Sequence, residues 1–221
     1  MTALNEPDVA LTDLGLAILG AYFSWRLAID PARSALKRSG AVVMGGLASA
    51  ALWGAIFHAF FPAKTATHAG YLVWVPVAVS IVVVASALLG LAVSLLAPKI
   101  GAAVRTALVA VYAIGFAVTV VVLDDSFTSI VRFYAPALVL VLAAAALQAL
   151  RTRSAGWALA AAGFALSIVA AALQQAKVAV HPTYFNHNAV YHVVQGAALV
   201  LLYQGFRRAP SLAVPANAHA R

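Results

Sequence analysis

The 221-residue chain is 64% hydrophobic and only 9% charged, with a mean hydropathy of +0.97. Soluble domains carry about 25% charged residues, so this composition excludes a water-facing surface and makes lipid the expected solvent. The absence of cysteine excludes disulfides, thiolate ligands and thiol nucleophiles, and the net charge of +8 is a matter of topology, argued below.

The chain opens on an acidic segment holding Glu6 and Asp8. It lacks the basic start of a cleaved signal peptide, so the first apolar run is expected to persist as a helix. Apolar runs separated by short polar or Gly/Pro-marked breaks follow at 10–28, 41–61, 71–97, 102–123, 128–149, 157–176 and 187–206. Pro76 and Pro98 are expected to mark the ends of the third run or a kink in it. The short break Asp124-Asp125-Ser126-Phe127 separates the fourth run from the fifth. At about 20 residues per span seven spans use about 140 residues and leave no room for a soluble module. The expected fold is all-α: a seven-helix integral membrane bundle over 1–208, followed by a disordered cytoplasmic tail over 209–221 in which His219 is inert.

Lys and Arg near span ends set orientation. Arg26, Arg33, Lys37, Arg38, Lys99, Arg105, Arg151, Arg153, Arg207, Arg208 and Arg221 fall on one side of this alternation, leaving only Lys64, Arg132 and Lys177 on the other. The rich side is cytoplasmic, which places the N-terminus outside and the C-terminus inside. The chain therefore reads as a multi-pass protein of a cell membrane, a bacterial inner membrane, with membrane lipids as its partners. No loop is long enough to present a nucleic-acid footprint.

With that topology the polar groups collect in the outer half. Asp13 sits in helix 1 and His58 near the end of helix 2, surrounded by Trp53, Phe57, Phe60 and Phe61. Asp124 and Asp125 lie in an outer connection, where Arg132 is a candidate partner, and Lys64 and His68 lie in another. Gln174 and Gln175 close helix 6, while His181, Tyr184, His187, Asn188, Tyr191 and His192 approach or open helix 7. Asn188, His192 and Gln195 fall at i, i+4 and i+7, a single helix face. Ionisable groups within a span cost about 2.5–3.5 kcal/mol and so face a cavity or a partner. Asp13 is either a cap at the helix 1 N-terminus or a functional carboxylate, and His187 a cap or a ligand. His58 and His192 are either neutral interhelical hydrogen-bonding groups or ligating and catalytic ones. Together with the pocket residues Gln174, Asn188, Tyr191 and Gln195 they form the candidate site.

Seven helices with the N-terminus outside, Phe57-His58 ending helix 2 and His187-Asn188-Ala189-Val190-Tyr191-His192 opening helix 7 resemble the CREST superfamily of alkaline ceramidases and adiponectin/progestin receptors. The resemblance implies a zinc-dependent lipid amide hydrolase, with the metal held by His58, His187 and His192. Zinc would lower the pKa of a bound water toward ~7, and Asp13, the intramembrane carboxylate, would accept its proton. A lipid-like substrate would arrive laterally. The sequence departs from the family pattern at three places. The helix 7 histidines are i, i+5 apart, the family's helix 2 serine is Gly54, and helix 3 holds no carboxylate. Those departures favour the alternative of a non-enzymatic lipid- or small-molecule-binding, receptor-like protein. A transporter relay is disfavoured by the nearly bare inner half. Bis-histidine haem ligation by His58 and His192 is a further alternative, and a retinal protein is disfavoured by the lack of a helix 7 lysine.

Overall fold

The computed structural model describes residues 4–32, 34–61 and 67–210. Arg33, Lys64, and the tail with His219 and Arg221 lie outside the described residues. Within them the chain forms seven helices and no strand: α1 (Pro7–Ala28), α2 (Ala35–Phe60), α3 (His68–Leu96), α4 (Ala102–Val118), α5 (Phe127–Thr152), α6 (Ala155–Gln175) and α7 (His187–Arg208). A π-helical turn, Thr119–Leu123, continues α4.

The helix starts follow from local chemistry. Pro7 occupies the first turn of α1, where its missing N–H has no partner to lose. Ser34, Thr67, Ser126, Ser154 and Asn186 precede α2, α3, α5, α6 and α7, and each side chain accepts a first-turn backbone N–H. The two prolines of the third run take different places, and one expected pairing changes. Pro76 lies inside α3, while Pro98 follows its end. Asp124 accepts from Ser126 N at 3.0 Å and from the Ser129 hydroxyl, not from Arg132. Those serine bonds, Ser129 first, hold the Asp124 carboxyl below its ordinary range. At the opposite end of the bundle Lys37 Nζ meets Asp30 Oδ1 at 2.7 Å and lowers the Asp30 carboxyl likewise.

Six of the seven helices, α2 to α7, are long and apolar enough to cross a membrane by length and composition, α4 being counted with its π turn. The chain is a multi-pass membrane protein on this ground. Helix α1 carries Asp8, Asp13 and Arg26 in 22 residues and is not among the six.

Packing is sequential but for one helix. Helix α1 packs on α2, α2 on α3, α3 on α5, α5 on α6, α6 on α7, and α7 returns to α1. These six close a ring, and α4 leans from outside against α3. Its outward residues Val104, Leu108, Val111 and Ile114 are all exposed, a surface suited to lipid. Tyr71 and Trp74 of α3 fix the far end of α4. The Tyr71 hydroxyl donates to Val121 O at 2.6 Å, and Trp74 Nε1 to Asp125 O at 3.0 Å. The tyrosine bond engages a carbonyl in the π turn, where the α-helical ladder is interrupted. The ring interior is the site's frame.

Candidate functional site

The polar stripe of α7 faces its neighbours in the ring. Gln174 Nε2 of α6 donates to Asn188 Oδ1 at 3.0 Å, and Gln195 Nε2 donates to the Ser167 hydroxyl at 3.1 Å. His192, between them, reaches the other way to α1. Its Nε2 lies 3.1 Å from Asp13 Oδ1 and its Nδ1 3.0 Å from Thr12 Oγ1. The α7 start is capped by Asn186, which accepts from Asn188 N and Ala189 N, so His187 is not the cap. Asn186 N in turn donates to Asp8 Oδ2 at 3.0 Å, tying the loop before α7 to α1.

Asp13 lies nearly two turns inside α1, which begins at Pro7, so it does not cap the helix either. It is only 5% exposed. A carboxylate at that depth is costly unless paired, and its partner is His192. The Thr12 hydroxyl also lies 2.9 Å from Asp8 O and 3.0 Å from Val9 O. It has a single hydrogen for three acceptors. If that hydrogen goes to the backbone, His192 Nδ1 must donate to Thr12. In either tautomer a hydrogen-bonded contact between Nε2 and Oδ1 holds one proton. The pair therefore stores a shared proton between two helices.

His58 is positioned by the start of the chain. Asn5 N donates to Ala59 O at 3.2 Å and Glu6 N to His58 O at 3.3 Å, which folds residues 5 and 6 over the C-terminal end of α2. Glu6 Oε2 then meets His58 Nδ1 at 2.6 Å. One turn earlier in α2, a Cβ on Gly54 would stand 2.8 Å from Asp13 Oδ2. The absent side chain at Gly54 is what lets the Asp13 carboxylate settle against α2. Asp13 is thus in contact with His192 of α7 on one oxygen and lies against Gly54, a turn from His58, with the other.

A cavity of about 550 Å³ runs inside the ring. Asp13, His58, Gln174, His187, Asn188, Tyr191, His192 and Gln195, the candidate residues from the sequence, all line it. Lys177 joins them at the same end, just past α6. Deeper, its walls are apolar, with Leu47, Ala51, Val77, Ile81, Ile130, Leu138, Ile168 and Leu199. The cavity is polar at one end and greasy along the rest.

The donor chemistry suits zinc in one respect. His58 and His192 are each anchored through Nδ1 by an oxygen from the first part of the chain, Glu6 or Thr12. Metal-binding imidazoles are commonly oriented in this way through the ring nitrogen away from the metal. The His187 side chain has no hydrogen-bond partner among the described residues. Yet no three His, Asp or Glu side chains among the described residues are gathered closely enough to hold a metal ion.

Glu6, Thr12, Ser167 and the space at Gly54 are participants that the sequence did not single out. Thr12 and Ser167 are ordinary small polar residues, and only the partner across the helix interface gives them a role. Glu6 had one signal, an acid directly before the Pro7 that opens a helix.

The sequence profile of a family described as a family of unknown function, DUF6962, matches residues 9–211 of the chain. No curated protein and no solved structure matches it.

Proposed function

We propose, for a chain that belongs to the DUF6962 family of unknown function, that it is a seven-span protein of the cell membrane, a bacterial inner membrane, whose cavity binds a lipid-like amphiphile. Helix α1 supplies the seventh span. Its 22 residues extend about 33 Å at 1.5 Å per residue, enough for a hydrocarbon core of about 30 Å. The hydrogen-bonded contact with His192 lessens the cost of its buried Asp13. The cation bias puts the N-terminus and the polar end of the cavity outside and the C-terminus in the cytoplasm.

The observation that carries the reading is the two-part lining of one cavity. Hydrogen-bonding groups at its mouth suit a polar head, and the apolar walls below suit a hydrocarbon chain. The test is saturable binding of a fluorescent ceramide to the protein in lipid nanodiscs. We expect unlabelled ceramide to compete the signal away. A signal that rises linearly with probe and resists competition is simple partition into lipid, and would contradict binding.

A second reading, a zinc-dependent hydrolase of lipid amides resembling the CREST superfamily, is favoured by the Nδ1 anchoring of His58 and His192. These two, with His187, would have to draw together to hold the metal, with His192 Nε2 released from Asp13, the adjacent carboxylate. Bound zinc would supply an activated water. Metal analysis of the purified protein is expected to give about one zinc per chain on this reading, lost in His58→Ala and His192→Ala. Metal-free protein that still binds the ceramide without releasing fatty acid leaves the binding protein as the function.

A further inference from the structure

A second cavity, about 270 Å³, lies in the seam between α1 and α7. Thr12, Gly15 and Leu16 line it from α1, and His192, Val193 and Gly196 from α7. Gly15 and Val193 are exposed, as are Leu14, Ile18 and Val200 on the same two helices. This groove therefore belongs to the outer, lipid-facing side of the ring. Two of its residues, Leu16 and His192, also line the internal cavity. The wall between groove and cavity is one side chain thick there.

Small residues between membrane helices ordinarily serve close packing. Gly20 does so in this bundle, where a Cβ would lie 3.1 Å from Ala48 of α2, and Gly205 does so against α6. Gly15 and Gly196 are different. A Cβ on Gly15 would meet nothing within 4 Å, and one on Gly196 would only touch Leu16 at 3.6 Å and Leu19 at 4.0 Å. Their missing side chains leave open space and no tight contact, so packing does not account for them. Across the top of that space runs the polar rung from His192 to Thr12 and Asp13. Both of those partners sit on one helix, so the imidazole latches α7 to α1.

We infer that this groove is the lateral entrance of the internal cavity, through which the apolar chain of a membrane amphiphile slides from the bilayer past His192. The inference rests on the amphiphile-binding reading and adds the route. In transit the chain would pass over the bare backbone of Gly15 and Gly196, neither of which lines the internal cavity, and displacement of the His192 ring from Thr12 would open the thin wall. The occupant is a hydrocarbon chain because the groove is apolar below the rung, borders lipid-facing residues and is parted from the greasy interior by a single side chain.

The test is kinetic. Gly15→Phe projects into open space and Gly196→Phe meets only ordinary contacts with Leu16 and Leu19, so both are expected to fold, which thermal melting verifies. In nanodiscs, association and dissociation of fluorescent ceramide should both slow by at least about tenfold, as for gated access, with Kd unchanged. A blocked route slows both directions alike, whereas a damaged binding site alters Kd. The chain lacks cysteine, so Gly15→Cys gives a second measurement on one sample, before and after a bulky maleimide is attached. Wild-type rates in both phenylalanine variants and in the labelled cysteine variant would overturn the entrance while leaving amphiphile binding intact. Absence of equilibrium binding by the wild type would overturn both.

Discussion

A His192→Ala variant is expected to lose about 1–3 kcal/mol of stability, the usual cost of leaving a buried hydrogen-bonding group without its partner. Asp13 is 5% exposed and its Oδ1 is held by His192 Nε2. Without the imidazole, that oxygen loses its hydrogen-bond partner at the polar end of the cavity, and only water or a rearranged side chain can replace it. Asp13→Ala strands the imidazole instead, with only Thr12 to bond. The Asp13→Ala/His192→Ala double variant removes both groups together and should cost less than the more damaging single change. Thermal denaturation in detergent, followed by tryptophan fluorescence, measures all three. Losses that simply add in the double variant would show that the two side chains are not coupled. The result bears on function because this pair joins α1 to α7 at the mouth of the cavity.

Gly205→Val is expected to cost about 1–3 kcal/mol or more, as overpacked interfaces do. A Cβ on Gly205 would stand 2.6 Å from Ala160 N and 2.8 Å from Ala160 Cα and Cβ. Backbone cannot swing aside as a side-chain tip can, so α6 and α7 must separate. Gly163 sits against Leu202 in the same seam, and the damage should spread along it toward the Ser167–Gln195 bond. Gly15→Ala, with open space around it, is the matched control and should be close to neutral. Melting temperatures of the two variants decide the matter, and equal losses would contradict the close approach of α6 and α7.

Much of this architecture was legible from hydropathy. The breaks fall where Ser34, Thr67, Ser126, Ser154 and Asn186 offer side-chain caps, so the seven runs became seven helices with ends displaced by a few residues. The α7 stripe was legible too, because the helical period alone puts Asn188, His192 and Gln195 on one face. The place of α4 was not. Val104, Leu108, Val111 and Ile114 are as apolar as residues inside the ring, and a uniformly apolar helix carries no mark of which side meets lipid. Whether α1 spans was obscured by Asp13, whose cost is visible in sequence while its relief by His192, 179 positions away, is not.

The site was legible as a set of residue types and illegible as a set of pairs. His58 stood out among aromatic neighbours, but Glu6 acquires its role only when residues 5 and 6 dock on the end of α2. Gly54 looked like the loss of a serine expected from the resemblance. In the fold it is the space into which the Asp13 carboxylate fits. Such complementarity between an absent side chain and a distant acid has no local signal, because nothing in either helix names the residue that lies across from it.

The most direct test of the shared cavity is a structure determined experimentally in lipid nanodiscs. We expect it to show the Asp13–His192 contact, His58 lining the same chamber, and elongated density running from the polar mouth down the apolar walls. A His192 ring turned to lipid, or a bundle closed so that His58 and His192 face separate spaces, would contradict the shared cavity.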